Sequence, residues 1–182
     1  MLPAFAATLD FLFGSRNVSG WKGETINMET ERLRIRRFQK EDANALYRLL
    51  SDEAVMRFLE PPFSWEQTVR FLNTYALVDS PAILAVEDRS SQFVGYVIYH
   101  PYEMDAYEIG WVLCREDWHK GYAQELTRAL IEDARTKTRN LILECVPEQI
   151  ATRVIAQRNG FVWEGNRDGC DIYRLRLENI EK

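Results

Sequence analysis

Residues 107–126 read YEIGWVLCREDWHKGYAQEL, and this stretch decides the fold. Its first part, Tyr107 to Cys114, is rich in apolar and aromatic residues and is typical of a strand. Its last part opens a helix predicted over 122–136, in which one face is apolar. That face consists of Ala123, Leu126, Leu130 and Ala134. A short polar loop, ending in Gly121, connects the strand to the helix.

The loop before the predicted helix has the features of an anion site. The first N–H groups of a helix have no partner within it, and the positive end of the helix dipole lies there. Phosphate is the anion that such a position binds most often. Gly121 allows close approach of the backbone, and the small Ala123 does not block a ligand. A single glycine at a helix start often serves turning or packing alone, so this signal is modest by itself.

Size and composition bound the class of protein. The chain has 182 residues, of which 46% are hydrophobic and 28% charged, as expected for one globular domain. Its formal net charge is -5 and its pI is about 5.2. A surface with this charge is poorly suited to the phosphates of nucleic acid, and it slightly favours a cationic acceptor such as an amine.

Cysteine and histidine usage argues against a disulfide or a metal centre. The three cysteines Cys114, Cys145 and Cys170 have no paired spacing, and they indicate free thiols in a reducing cytoplasm. His100 and His119 are the two histidines, which are too few ligands for a zinc site.

Residues 1–27 differ from the remainder and are interpreted as an N-terminal extension to a domain over 28–182. The apolar stretch from Pro3 to Phe13 predicts one short helix followed by a linker. It is too short to span a bilayer and has no basic segment before it, so neither a membrane span nor a signal peptide is expected. The apolar side of this helix is expected to pack on the domain or on a neighbouring subunit, which is compatible with a homodimer.

From Arg32 onward, strands and helices alternate without repeats or linkers, and an α+β domain is predicted. Asp42 is interpreted as a helix cap, and Ser64 with Gln67 as a capping box. The predicted helices cover 42–50, 54–59, 64–72, 122–136 and 150–159. The predicted strands cover 33–38, 82–87, 93–99, 107–114, 141–146, 162–164 and 172–177, the last two joined at Asp168-Gly169.

Four segments, in this order, resemble the GNAT superfamily of N-acetyltransferases. They are ERLRIRRF, the two-helix segment EDANALYRLLSDEAVMRFLEPPFSWEQTVRFL, residues 107–126, and ATRVIAQRNGFVWEG. Residues 118–123 match the family pattern Trp-x-x-Gly-Tyr-Ala. The resemblance runs from about Glu31 to Leu177 and is to the branch of ribosomal-protein-alanine acetyltransferases, the RimJ/RimL type.

The resemblance implies a GNAT fold with a mixed, mostly antiparallel sheet of about seven strands and helices on both faces. Its fourth and fifth strands, 107–114 and 141–146, would splay apart to admit acetyl-coenzyme A. The family's cofactor-binding positions fall on Val112, Leu113, His119, Lys120, Gly121, Tyr122, Ala123, Gln124, Gln149 and Thr152. Main-chain groups of the first two would pair with pantetheine, and the loop amides would bind pyrophosphate. The side chains of His119 and Lys120 either reach the phosphates or lie in solvent.

The sequence departs from the family at the last helix. Gln149 and Thr152 stand where an Asn and a Ser or Ala are common, and both retain hydrogen-bonding groups. Ala156 stands where many members carry a tyrosine that protonates the departing thiolate. The general acid is therefore another group, water, or absent. Tyr173 is a substitute to consider, although strand packing is its expected role.

Glu108 is the candidate catalytic base, because acetyl transfer requires the acceptor ammonium to lose a proton. Strand alternation points Glu108 away from the side on which Tyr107 and Ile109 lie, and family members carry a glutamate near the acceptor on this strand. The alternative is a hydrated, inert glutamate. Other candidates for the acceptor site are Glu103, Asp105 and Tyr107 on one side, and Glu60, Phe63 and Trp65 on the other.

Two functions follow. The first is an acetyl-CoA-dependent N-acetyltransferase that acts on a primary amine, either a peptide N-terminus or a small molecule. The second is a GNAT-fold module without catalysis that serves in binding or assembly. The missing tyrosine favours the second, whereas the intact loop at 118–123 favours the first.

Overall fold

The computed structural model describes residues 27–177. Its centre is an eight-stranded sheet in the order β1-β2-β3-β4-β5-β6-β8-β7, in which only β5 and β6 are parallel neighbours. The strands are β1 Asn27–Glu29, β2 Leu33–Arg36, β3 Ile83–Asp88, β4 Phe93–Glu103, β5 Ala106–Leu113, β6 Asn140–Cys145, β7 Val162–Arg167 and β8 Cys170–Arg176. The predicted extension and its helix lie outside the described residues, except Asn27, which begins β1.

Helices cover both faces of the sheet, which gives two separate hydrophobic cores. They are α1 Ala43–Leu50, α2 Glu53–Met56, α3 Trp65–Tyr75, α4 Tyr122–Ala134 and α5 Ile150–Arg158. Helices α1 to α3 pack around Tyr96 and Val112 on one face, and α4 and α5 pack around Tyr99 and Ile109 on the other. Within residues 27–177, no helix has the length and apolar character needed to cross a membrane.

Local signals explain where the helices begin. Ser64 caps α3, because its hydroxyl accepts from the Gln67 amide and the Gln67 side chain accepts from the Ser64 amide, which confirms the predicted capping box. The cap predicted at Asp42 is wrong, since this side chain makes no cap bond to α1. Its carboxylate instead accepts from Arg36 and from the Gln39 amide.

Strands β5 and β6 diverge, and the divergence opens the middle of the sheet. They pair over three residues, from Ala106 opposite Asn140 to Glu108 opposite Ile142. Beyond this point β5 continues alongside β4 as far as Leu113, and β6 continues alongside β8. The splayed pair expected from the resemblance is therefore present, with the gap beginning directly after Glu108.

Candidate active site

The loop before α4 has the backbone shape of an anion-binding turn. His119 and Gly121 both have left-handed backbones, with φ of 62° and 81°. Gly121 is the N-cap residue of α4 and has no side chain with which to satisfy the first turn. The amides that open the helix, those of Tyr122, Ala123 and Gln124, are therefore available to a ligand in front of the helix.

The turn between β1 and β2 braces this loop. Arg32 donates through Nη1 to the Lys120 carbonyl at 2.8 Å and through Nε to Glu125 at 2.7 Å. The guanidinium also lies 4.8 Å from the centroid of the Tyr122 ring. Thr30 donates to the other oxygen of Glu125 at 2.6 Å. The loop is thus fixed by residues about 90 positions earlier in the chain, which local sequence patterns do not reveal.

A groove of about 730 Å³ leads from this loop to the gap in the sheet. Its walls come from α2, from the end of β5, from the loop and from α5. The predicted residues that line it are Val112, Leu113, His119, Gly121, Tyr122, Ala123, Gln124, Gln149 and Thr152. Lys120 is the exception, because its ammonium turns away to Asp117 at 2.8 Å.

Backbone alternation decides which amides of β5 face the gap. Cys114 donates to the Val94 carbonyl, so every second residue back from Cys114 is hydrogen-bonded to β4. The groups of Val112 therefore point toward β4, whereas those of Trp111 and Leu113 point into the gap. The Leu113 carbonyl accepts from the Trp118 indole at 3.0 Å, which leaves the Leu113 amide and both groups of Trp111 facing the gap. Trp111 was not among the predicted residues.

On the opposite wall, Gln149 and Thr152 lie at the start of α5. The Gln149 side-chain oxygen accepts from the Val146 amide at 3.0 Å, so this longer side chain is folded back onto the end of β6. Its amide nitrogen is the part left to a ligand. Thr152 lines both the groove and a smaller cavity behind it.

That smaller cavity, about 60 Å³, lies between β5 and β6 beside the groove and is called the tunnel below; Glu108 is one of its lining residues. The Glu108 carboxylate is buried, with the residue only 5% exposed, so the hydrated alternative is wrong. Its Oε2 lies 3.1 Å from Nε2 of buried His100 on β4. Burial opposes a charge on His100, but the hydrogen bond and charge of Glu108 outweigh it and raise the pKa of His100 above its ordinary value.

A second carboxylate and two thiols complete the tunnel wall. Glu144 on β6 accepts from the Tyr102 hydroxyl, which also accepts from Arg167. Cys145 and Cys170 are free and buried, as predicted, whereas Cys114 is free but only partly buried. Burial raises the pKa of Cys145 to about 12 and that of Cys170 to about 11, so both remain protonated thiols at neutral pH.

The family assignment follows from comparison with known proteins. The family model described as an acetyltransferase (GNAT) domain matches residues 32–162. This chain belongs to the GNAT acetyltransferase family. The match spans β2 to the start of β7 and therefore contains the loop, the groove and every tunnel-lining residue except Cys170.

Relatives of this GNAT-family chain support the assignment. It is 31% identical over 152 residues to an uncharacterized N-acetyltransferase, YnaD, of Bacillus subtilis (strain 168), covering 80% of this chain and 88% of the relative. A GNAT acetyltransferase structure from Bacillus anthracis is 26% identical with a TM-score of 0.76, covering 83% and 98% of the two chains. RimL, a ribosomal L7/L12 alpha-N-protein acetyltransferase solved with coenzyme A, shares the fold at 19% identity and a TM-score of 0.71, covering 85% and 98%.

Several other predicted residues lie outside the groove and the tunnel. Trp65 packs edge-on against Tyr47, and Phe63 packs edge-on against Phe71. The far wall is instead formed by Phe58 and Leu59, from the turn after α2. On the other side, Glu103 pairs with Arg174 at 2.6 Å, and Asp105 and Tyr107 do not line the tunnel.

The position in the last helix at which many GNAT members carry a tyrosine has no proton donor in this chain. Ala156 lies on the inner face of α5, is fully buried in the core and has no group that can donate a proton. Tyr173 is 1% exposed, its hydroxyl accepts from Arg153 at 3.2 Å, and it lines neither the groove nor the tunnel. Within the described residues, the acidic side chains that line the tunnel are Glu108 on β5 and Glu144 on β6.

Proposed function

We propose that this protein transfers an acetyl group from acetyl-coenzyme A to a primary amine by direct attack in a ternary complex. The observation that carries the proposal is the continuity of three features: the braced loop, the groove, and the tunnel that meets the groove at the gap. Phe58, Leu59, Trp111, Val112, Gln149 and Thr152 line both cavities. A donor entering from the loop and an acceptor entering through the tunnel would therefore meet beside Glu108.

The chemistry of the groove fits coenzyme A. Three open amides at the start of α4 suit a pyrophosphate, because they combine hydrogen bonds with the positive end of the helix dipole. The gap-facing groups of Trp111 and Leu113, with the Gln149 amide and Thr152, suit the amide-containing pantetheine arm. When bound, the cofactor supplies a thioester carbonyl. The RimL structure, which contains coenzyme A in the same fold, supports this reading.

On the acceptor side, Glu108 is proposed as the base. A primary amine attacks only when it is neutral, so the proton of its ammonium form must be removed at the site. An amide of β5 that faces the gap, that of Leu113 or Trp111, would donate to the carbonyl oxygen as negative charge develops on it. The acceptor remains either a peptide N-terminus or a small-molecule amine. A cytoplasmic location follows from the unpaired thiols.

Ala156 favours a second candidate function, a binding or assembly module that retains the fold without turnover. A module that has lost catalysis need not bind the cofactor or transfer an acetyl group from it. Cofactor binding and acetyl transfer therefore distinguish the two candidates.

Calorimetric titration with acetyl-coenzyme A tests the proposal. We expect micromolar affinity, on the order of -8 kcal/mol, for the wild type, and loss of binding in Gly121→Asp. The substitution places a negative charge where the amides face the pyrophosphate, at a residue whose φ is 81°. Gly169→Asp is the matched control, because Gly169 also has a positive φ of 92° and lies in an exposed hairpin with open space around it.

Binding by the wild type and by Gly169→Asp, but not by Gly121→Asp, would support the cofactor site and justify a screen of amine acceptors. A folded wild type that fails to bind would exclude the enzyme. Binding without transfer to any amine class would favour the assembly module.

A further inference from the structure

His100 and Glu108 form a buried pair next to the reaction site. They are directly opposite each other on the antiparallel strands β4 and β5, with Nε2 and Oε2 separated by 3.1 Å. His100 is 4% exposed and Glu108 is 5% exposed, so water does not separate their charges. His100 does not line the tunnel, whereas Glu108 does. Any effect of His100 on the reaction must therefore pass through Glu108.

The hydrogen bond of His100 to Pro101 and its ion-pair contact with Glu108 fix where its protons are. Nδ1 lies 2.8 Å from the carbonyl oxygen of Pro101, and a carbonyl can only accept, so Nδ1 carries a hydrogen. The contact between Nε2 and Oε2 therefore needs a second proton. Without it, a lone pair of the imidazole would face a lone pair of the carboxylate. The pair thus holds one proton between its two members, either as imidazolium and carboxylate or as imidazole and carboxylic acid.

The surrounding groups favour the charged form of the pair. Glu144 on β6 faces His100 and, together with Glu108, raises the pKa of the imidazole against the opposing effect of burial. The other titratable groups that face Glu108 are Tyr102 on β4 and Cys170 on β8. Burial raises the pKa of both of these groups, so they are neutral at physiological pH and do not compensate the pair.

We propose that His100 is a positioning residue that anchors Oε2 of Glu108, so that Oε1 alone faces the reactants and carries a proton from the attacking nitrogen to the departing sulfur. This inference rests on the proposed acetyl transfer. It assigns to Glu108 both the removal of the proton from the nitrogen and its delivery to the sulfur. The second step is the one for which many family members have a tyrosine, at the position that Ala156 occupies here.

The protons balance as follows. The acceptor ammonium gives its first proton to Oε1 of Glu108, which releases it to solvent before attack. As the new C–N bond forms and the C–S bond breaks, Oε1 of Glu108 accepts the second proton from the nitrogen and passes it to the sulfur, which leaves as a thiol. The pair ends with the same single proton on His100 that it held at the start, so Glu108 is ready for another cycle.

Nuclear magnetic resonance of the free protein tests the pair without cofactor or acceptor. The chain has two histidines, so ¹⁵N-labelled histidine gives two sets of ring signals, and the set lost in His100→Gln belongs to His100. We expect Nδ1 to stay protonated at every pH and Nε2 to lose its proton only above the ordinary histidine range. In Glu108→Gln the loss should move to lower pH. Identical titration of His100 in the wild type and in Glu108→Gln would overturn the pair.

Two substitutions of His100 separate positioning from structure in kinetic assays. Gln places a donor near the position of Nε2 and keeps the bond to Glu108, whereas Asn places one near Nδ1 and keeps only the bond to Pro101. We expect turnover to fall about tenfold more in His100→Asn than in His100→Gln, with the KM for acetyl-coenzyme A unchanged in both. The wild-type kcat should decline at alkaline pH as Nε2 loses its proton, and this decline should be absent in His100→Gln.

Equal losses in the two variants, or an alkaline decline that persists in His100→Gln, would refute the positioning role. These outcomes differ from failure of the proposed function, which is seen when the wild type does not bind acetyl-coenzyme A. Calorimetric binding of the cofactor by each variant confirms that it is folded. If either variant does not fold, the resonance comparison of wild type with Glu108→Gln still tests the pair, and identical titration of His100 in both would overturn the proposal.

Discussion

At the scale of single residues, Glu108 illustrates how a strand can keep a charge in its interior. Successive residues of a strand point to opposite faces of the sheet. Ile109 enters the core on the face covered by α4, whereas Glu108 points to the other face and lines the tunnel. A buried carboxylate is costly unless it is paired, and the His100 ring on the adjacent strand is its partner. The same burial strengthens electrostatic interactions inside the tunnel, which suits a group that handles protons.

Glu108→Gln should lower kcat by about a hundredfold, the contribution typical of a positioned acid or base, while affinity for acetyl-coenzyme A stays within about twofold. The loss should be largest below the pKa of the acceptor, where most of the amine is charged. Steady-state kinetics across pH, with calorimetry for the cofactor, provide the measurement. Glu87→Gln is the control, because Glu87 is equally buried but pairs with Arg34 and Arg36 on β2. Turnover that is unchanged by Glu108→Gln at every pH would remove this residue from the mechanism.

At the scale of elements, the start of α4 depends on a strand connection distant in sequence. Arg32 binds the last carbonyl before Gly121 and also the carboxylate of Glu125 in the first turns of the helix. The loop is therefore held between β2 and α4 before any ligand arrives. A preorganised loop loses less conformational entropy on binding than a mobile one. The contacts of Arg32 should therefore increase the affinity for the cofactor.

Arg32→Met should raise the Kd for acetyl-coenzyme A about tenfold, the equivalent of about 1.4 kcal/mol, because the loop loses its bond to the Lys120 carbonyl. Arg34→Met is the matched control. Arg34 has a similarly exposed side chain, but it pairs with Glu29 and Glu87 and does not contact the loop. Equal affinities of the two variants, measured by calorimetry, would show that the brace does not contribute to binding.

Most elements were predictable from the sequence, because periodicity and turn signals act locally. The box at Ser64 and the turn at Asp168-Gly169 are examples of such local signals, and both occur in the structure. Strand β1 was missed because Asn27–Glu29 has no apolar run and is defined only by its pairing with β2.

The candidate site was predictable where it follows a contiguous motif and not where it depends on strand register. Residues 118–123 belong to the first kind. His100, Trp111 and Arg32 belong to the second, since each acquires its place from a neighbouring strand or helix. The Asp42 cap failed because a tertiary ion pair with Arg36 competes for the same carboxylate.

At the scale of the whole molecule, the gap between β5 and β6 divides the sheet into two halves. Strands β1 to β5 form one half and β6 to β8 the other, joined by three paired positions near Glu108. Beyond the three paired positions, no strand of the described residues lies between β5 and β6. A ligand bound in the groove would therefore connect the two halves of the sheet. The extension and the homodimer remain predictions, since residues 1–26 lie outside the description.

Acetyl-coenzyme A should therefore stabilise the entire fold. At a concentration one hundred times its Kd, linkage predicts about 2.7 kcal/mol of added stability, or a rise in Tm of roughly 5 to 10 °C for a chain of this size. Differential scanning calorimetry of wild type and of Gly169→Asp should show the rise, and Gly121→Asp should not. A cofactor-dependent rise in Gly121→Asp would mean that binding occurs elsewhere.

The divergence of β5 from β6 also bears on how this protein avoids aggregation. Unpaired strand edges invite pairing with other chains, and a sheet usually exposes them at its two outer strands, here β1 and β7. This sheet has a further pair of unpaired edges in its interior, at Trp111 to Leu113 and at the end of β6. Residues of α2 and α5 flank the groove at this place, which leaves room for a narrow ligand and not for a full strand. The protein thus has a free β-edge that is accessible to a narrow ligand and not to a strand of another protein chain.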